Sequence, residues 1–311
     1  MKLLPQTRRL LARLLPRTAF LSLLLSVTGM AADVELVVDT ACGRPGTFAA
    51  QEIRREAQGR RMTLGEDAGA TRIALSVEKA AGAAAQSYSI LVQNAGGRRV
   101  ITVRGVDATG AMYGGLDIAE AIRTATLDSL KDSQHRPHIA KRGIKFNIPL
   151  DLRTPSYSDC SDAAQANIPE MWGREFWTAF LDSMARHRFN VLSLWSLHPF
   201  PSLVKVPEFP EVALNDVWRT RARLDDTFSF AGKDMVRPPM LADHEVVKRM
   251  TIDEKIAFWR WVMQHAADRG IQVYFSPGTS SPSAPRASMA SPTIWAARSR
   301  KGISAPVCGR R

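Results

Sequence analysis

The chain has 311 residues, 42 Lys and Arg against 30 Asp and Glu, a formal net charge of +12 and only three cysteines. Five of the basic residues lie in residues 1–31 and six lie after Phe275, which leaves 31 basic against 30 acidic residues in between. A near-neutral body with no basic run interleaved with aromatics excludes nucleic acid as a partner. Cys42 and Cys160 are too few for a metal framework and are read as ordinary residues, although an oxidising compartment could join them; Cys308 lies in the tail.

Residues 1–31 carry Lys2, Arg8, Arg9, Arg13 and Arg17 and no acid, then an apolar run from Ala19 to Val27, and end on Gly29-Met30-Ala31. This is the pattern of a secretory signal peptide, and the run is too short for the roughly 20 residues of a membrane span. The expected location is secreted or periplasmic, with no stable membrane insertion after cleavage.

Residues 32–135 read as a small α+β domain. Strands are expected at Val34–Val38, Thr71–Val77, Tyr88–Gln93 and Arg99–Arg104, and helices at Thr47–Gln58 and Thr109–Thr124. Asn94-Ala95-Gly96-Gly97 has hairpin chemistry, since glycine takes the positive φ of tight turns. Gly110, Ala111, Gly114 and Gly115 let the second helix approach the sheet closely. The glycines lack the following Lys and Ser or Thr of a phosphate loop. The polar stretch Leu127–Ala140 reads as connecting chain, with the linker proper at 136–141. Its His135 and His138 have no carboxylate or thiol partner nearby in sequence, so no metal is assigned.

From Arg142 the pattern changes to strand, helix, strand, the length of a βαβ unit. In Gly143–Ile148 apolar and polar residues alternate. Pro169 is expected to open a helix with Phe176, Phe180 and Met184 on one face, and Phe189–Trp195 reads as a buried parallel strand. Pro199–Arg223 reads as a long proline-punctuated loop, too long for a usual strand-to-helix connection and hence a candidate functional loop. Thr251 and Glu254 form a capping box for a helix ending at Gly270, and Ile271–Phe275 reads as a third strand.

After Phe275 the composition turns to Ser, Pro, Ala and Arg with no acid. A disordered tail has that composition. A frameshift also explains it, because one permitted back-translation begun at the third base of the Ser276 codon restores aromatic and acidic residues, and a basic low-complexity end has no reason to begin inside a strand.

Two stretches carry a family resemblance. Ile101–Arg123, with strand, Gly-x-Asp-x-x-Gly-x-x-Tyr-Gly and helix in that order, resembles the accessory domain that precedes the barrel in α-glucuronidases and β-hexosaminidases. Arg142-Gly143, then Ala185-Arg186-His187-Arg188, then Phe189–Trp195, resembles the start of the catalytic barrel in those enzymes. The resemblance implies an α/β chain: an N-terminal α+β accessory domain (32–135), then an incomplete (β/α)8 TIM barrel (142–275), then an out-of-frame or disordered tail (276–311). It implies the N-terminal portion of an exported glycoside hydrolase acting on plant or microbial polysaccharide, inactive as it stands, with a carbohydrate substrate and no cofactor. The alternatives are a non-catalytic carbohydrate-binding or scaffold protein, and a degraded pseudogene product.

Such barrels place their sites at the C-terminal ends of the strands. Glycoside hydrolysis typically uses two carboxylates, and the resemblance puts them on strands later than Phe275, so Asp151 is the one catalytic candidate, with loop capping as its competing role. Sugars present hydroxyls and apolar ring faces, so Arg142, Asn147, Arg153, Trp195 and His198 are the candidate substrate-binding residues. Arg142 also matches the β-hexosaminidase arginine that meets sugar hydroxyls, whereas Asn147 stands where that pattern has an acid. The oligomeric state is not readable from the sequence.

Overall fold

The computed structural model describes residues 33–65, 70–154, 161–224 and 236–277. The leader assigned to residues 1–31, Cys160, Cys308 and the tail from residue 278 onward lie outside the described residues. The chain's described residues form a mixed α/β protein with two large hydrophobic cores and a small third cluster of Leu152, Leu224 and Met240.

The first half contains β1 (Val34–Val38), α1 (Gly43–Gly59), β2 (Leu64–Gly65), β3 (Thr71–Val77), β4 (Tyr88–Ala95), β5 (Arg98–Gly105), α2 (Ala108–Arg123) and β6 (Ser133–His135). They build a six-stranded sheet in the order β2-β1-β3-β5-β4-β6, parallel except for β4 against its two neighbours. Alternation fills one face of the sheet with Ile73, Leu75, Ile90, Ile101 and Val103, and helices α1 and α2 close over it with Phe48, Ile53, Met112, Leu116 and Ile122. Gly96 and Gly97 both have positive φ and turn β4 into β5, as their sequence position implies.

The Gly-x-Asp-x-x-Gly stretch has a structural explanation. Asp107 caps α2 by accepting from the Gly110 N–H at 2.7 Å, and it also accepts from the Gln86 N–H at 2.8 Å. A Cβ on Gly105 would lie 2.1 Å from the Ala111 nitrogen, and one on Gly110 would lie 2.3 Å from the Ser87 carbonyl oxygen, so both positions exclude side chains. The connecting stretch is more structured than its polarity implies. Leu127 and Leu130 pack on the core, and β6 adds an edge strand in which His135 stacks on Tyr88 at 4.7 Å.

The second half contains β7 (Gly143–Asn147), α3 (Asp162–Met171), α4 (Arg174–Arg186), β8 (Val191–Ser196), α5 (Phe200–Leu203), β9 (Asp216–Thr220), α6 (Pro238–Ala242), β10 (His244–Arg249), α7 (Ile252–Ala267) and β11 (Gln272–Pro277). Strands β11, β8 and β7 form a parallel sheet in that order. One face, Ile144, Phe146, Leu192, Leu194, Val273 and Phe275, packs on Trp177, Leu181 and Met184 of α4 and on Trp259, Val262 and Ala266 of α7. The opposite face carries Lys145, Asn147, Ser193, Trp195, Gln272, Tyr274 and Ser276.

Three expectations are corrected. Pro169 does not open a helix: Ser161 caps α3 through the Ala164 N–H, Pro169 falls in its last turn, and the helix ends two residues later, because proline removes a hydrogen bond from the ladder. Pro199–Arg223 is not one loop, since it contains α5 and β9, and β9 pairs antiparallel with β10 to make a ribbon between the second and third parallel strands. The third strand runs to Pro277, pairing Ser276 with Trp195 and Pro277 with Ser196.

The halves meet through charged groups. Arg186 donates to the buried Glu52 of α1 at 2.6 and 3.0 Å, Arg188 pairs with Asp117 of α2, and the Arg269 guanidinium lies 4.7 Å from the Phe48 ring centre.

Candidate carbohydrate site

At the C-terminal end of the parallel sheet the register sets Asn147, Trp195 and Ser276 side by side, and the Ile148 N–H donates to the Trp195 carbonyl at 2.9 Å. The Lys145 ammonium sits 5.9 Å from the Trp195 ring centre. His198, two residues past β8, is exposed at the same end. Two of the predicted binding residues, Asn147 and Trp195, are therefore paired neighbours, and His198 shares their end of the sheet.

Arg142 is elsewhere. It precedes β7, about 16 Å from Asn147 at the usual strand rise, at the opposite end of the sheet. Its Nε donates to the Arg188 carbonyl at 2.7 Å, one Nη to the Ile139 carbonyl at 2.6 Å, and the other to Gln86 Oε1 at 2.8 Å and the Tyr113 hydroxyl at 3.3 Å. Asn190 completes the joint, accepting from the Arg142 N–H at 2.8 Å and donating to Gln86 at 3.0 Å. These contacts engage the guanidinium in joining the two halves.

Beyond β7 the chain turns through Leu150-Asp151-Leu152 towards the ribbon, where the Leu152 N–H donates to the Trp218 carbonyl at 2.9 Å. Asp151 is 2 % exposed and accepts from the Arg153 N–H at 2.9 Å, from Arg153 Nε at 2.7 Å and Nη2 at 2.8 Å, and from the Trp218 N–H at 3.0 Å. The same Arg153 Nη2 donates to Asp216 at 2.7 Å, and its guanidinium lies 4.1 Å from the Trp218 ring centre. His244 stacks on that indole at 3.8 Å. Asp151 and Arg153 thus come together, but in a clamp that fastens β9 to the end of β7, with the bonding expected of a loop-capping aspartate.

Lys255 completes the clamp. It is wholly buried on α7, donates to the Asp216 carbonyl at 2.7 Å, and lies 5.2 Å from the Trp172 ring centre. Burial pushes its pKa down to about 8; the Arg153 charge adds to this, and the Asp151 and Asp216 carboxylates oppose it. Burial alone would raise Asp216, but hydrogen bonds from Arg153 and Trp218 hold it below its ordinary value.

The sequence reading missed Asp216, Trp218, His244 and Lys255. For Lys255 the signal was present: it stands in line with Ile252, Trp259, Val262 and Ala266 at helical spacing, a lysine in an apolar stripe. For Asp216 and Trp218 it was the alternation in Asp216–Thr220, too short to mark a strand by itself, and His244 opens the strand that pairs with it.

A depressed lysine pKa fixes the sign of one pH dependence. Below about pH 8 the buried ammonium carries its full penalty. Between about pH 8 and 10.5 the unfolded chain keeps a proton that the folded chain has released, so stability should rise with pH across that window. Lys255→Met should flatten the rise, as read from urea midpoints at the two ends of the window.

A separate cleft, lined by Asp162, Gln165, Arg219, Arg221 and Glu245, lies beside the ribbon and contains none of the predicted residues.

No family model matches the chain, and no curated protein matches it. Solved structures do. Over 78 % of its length the chain superposes on a GH138 enzyme described as targeting pectin rhamnogalacturonan II, with a TM-score of 0.54 and 18 % identity. A GH20 exo-β-N-acetylglucosaminidase from Vibrio harveyi is matched over 79 % of this chain at a TM-score of 0.43 and 12 % identity. The chain spans 31 % and 32 % of those two proteins. What it shares with the GH138 enzyme, at that identity, is a glycoside hydrolase-like fold.

Proposed function

We propose that this chain is the N-terminal portion of an exported glycoside hydrolase related to α-glucuronidases, acting on plant or microbial polysaccharide and inactive in its 311-residue form. The carrying observation is the run of three consecutive parallel strands, β7, β8 and β11, backed by α4 and α7 on one face, in a chain whose fold overlaps a GH138 enzyme but spans 31 % of it. The six-stranded sheet with α1 and α2 is the accessory domain in this reading, and the parallel sheet is the beginning of a barrel.

Among the described residues, Asp151 and Asp216 are two carboxylates brought together at the end of the parallel sheet by a shared arginine. Their nearest oxygens share Arg153 Nη2 at 2.8 and 2.7 Å and so lie at most about 5.5 Å apart, a separation close to that of a retaining glycosidase pair. The guanidinium occupies the space between them, however, and Asp151 is buried. In this reading, as the family resemblance implies, the working carboxylates stand on later barrel strands, encoded beyond the composition change after Phe275.

The test is to repair the frame and express both forms in a Gram-negative host. The repaired product should begin at Ala32 outside the cytoplasm and hydrolyse oligosaccharides carrying acidic or deoxy sugars, while the 311-residue form should be processed at the same site and inert. An active 311-residue chain, or downstream nucleotides with no continuation of the strand-helix alternation, overturns the reading.

A second reading, a non-catalytic carbohydrate-binding protein, draws on one observation. The face of the parallel sheet away from the helices is polar and exposed at Lys145, Gln272, Tyr274 and Ser276, a composition suited to water and ligand.

A further inference from the structure

The starts of the three parallel strands are gathered at one residue. Asn190, 5 % exposed and just before β8, accepts from the Arg142 N–H ahead of β7 at 2.8 Å through its side chain, and its carbonyl accepts from the Gln272 N–H of β11 at 2.9 Å. Its side-chain amide donates across the joint to Gln86 Oε1 at 3.0 Å, the same oxygen that accepts from the Arg142 guanidinium. Parallel strands are joined by long crossovers, so no tight turn sets their pairing. The helices behind the sheet are tied to the first half as well. Ala185 of α4 lies in the first hydrophobic core, and a Cβ on Gly270, just after α7, would lie 2.6 Å from the Thr109 hydroxyl of α2.

The backbone at the joint is strained where these side chains leave it. Among the described non-glycine residues Arg61, Gln86, Ala125 and Arg188 have positive φ, and Gln86 and Arg188 both lie at the joint. Arg188 sits just past α4, at the position where helices commonly end on glycine, with the Phe189 N–H returning to the Met184 carbonyl at 2.9 Å. Glycine would relax both positions, but it would remove Gln86 Oε1 and the Arg188 guanidinium, which reaches Asp117 and the Tyr113 carbonyl of α2. We propose that the six-stranded domain is the template that holds the parallel sheet together, gripping its strand starts through Gln86, Arg142 and Asn190 and the end of α4 through Arg188. The dependence runs one way. The first sheet and its two helices fill their own core, whereas the three parallel strands begin at a node of side chains anchored on the first half.

Amide hydrogen exchange followed by mass spectrometry on the full 311-residue chain tests the template. Gln86→Gly and Arg188→Gly each relax a strained backbone position, so a purely local effect would leave exchange unchanged or slower. The template predicts the opposite in one half only. Amides of β7, β8 and β11 should exchange about tenfold or more faster, the loss expected when a charged hydrogen-bonded group loses its partner, while those of β3 and β5 stay as in the parent. Arg61→Gly relaxes the same backbone conformation at an exposed residue whose N–H donates to Gln58 at the end of α1, and it should alter neither sheet. In refolding from urea, protection of β3 and β5 should precede that of β7, β8 and β11, and Gln86→Gly should delay only the second group. A variant that keeps the first sheet protected and loses the second altogether supports the template as well. Loss of both sheets, equal acceleration in both, no acceleration, the same acceleration in Arg61→Gly, or simultaneous protection in the refolding parent overturns it.

Discussion

Replacing Trp177 with alanine should destabilise the chain by about 3–5 kcal/mol, the range for truncating a fully buried large aromatic. The side chain is 0 % exposed and sits where α4 meets both the sheet and α7. Its ring centre lies 5.3 Å from that of Trp259, 5.2 Å from that of Phe176 and 6.1 Å from that of Phe146, and its indole N–H donates to the Met171 carbonyl at 3.0 Å. Alanine would therefore open a cavity and leave a carbonyl unpaired at the turn between α3 and α4. The neighbours are themselves large rings held by one another, so the site cannot collapse cheaply. The measurement is urea unfolding followed by far-ultraviolet circular dichroism. Trp261→Phe, at a partly buried position on α7, serves as the comparison and should shift the midpoint far less.

Much of this fold was legible in the residues because local signals and burial agree. Alternating Ile73, Leu75, Ile101 and Val103 need a covered face, and the periodic apolar residues of α1 and α2 supply the cover. Gly96-Gly97 can only be a tight turn, and Thr251 with Glu254 forms the capping box that starts α7. The ribbon was not legible, because β9 and β10 are separated by more than 20 residues. Prolines upstream and charged residues within it mark the first of them as loop, and contacts from distant Asp151 and Lys255 hold it in place beside its pairing with β10. Among the proposed binding residues, Asn147 and Trp195 were placed together by the length of two strands, which a sequence encodes directly. Arg142 was read from its place in a motif, and a motif does not state which end of a strand its arginine serves. The clamp chemistry of Arg153 depends on Asp216, which comes 63 residues later, and no local pattern announces such a contact.

Asp151 decides between two uses of the same carboxylate, and substitution should separate them. Asp151→Ala removes the acceptor for two guanidinium hydrogen bonds, for the Arg153 N–H and for the Trp218 N–H, and leaves Arg153 with only Asp216 as counter-charge. Breaking a buried ion pair from one side costs about 3–5 kcal/mol, because the surviving charge and donors remain in place without their partner. Asp151→Asn keeps an acceptor oxygen for one or two of those donors but loses the charge, so its loss should be smaller and should leave β9 attached. In the repaired enzyme the clamp reading predicts that Asp151→Asn retains most of the turnover at temperatures where it is folded. A catalytic acid or nucleophile at this position predicts the reverse, a folded protein of near-parental stability with turnover reduced by several orders of magnitude. Thermal unfolding and initial rates measured on the same preparations distinguish the two. A stable, inactive Asp151→Asn enzyme would transfer Asp151 from the clamp to the reaction, and Arg153 would then become the group that positions its carboxylate.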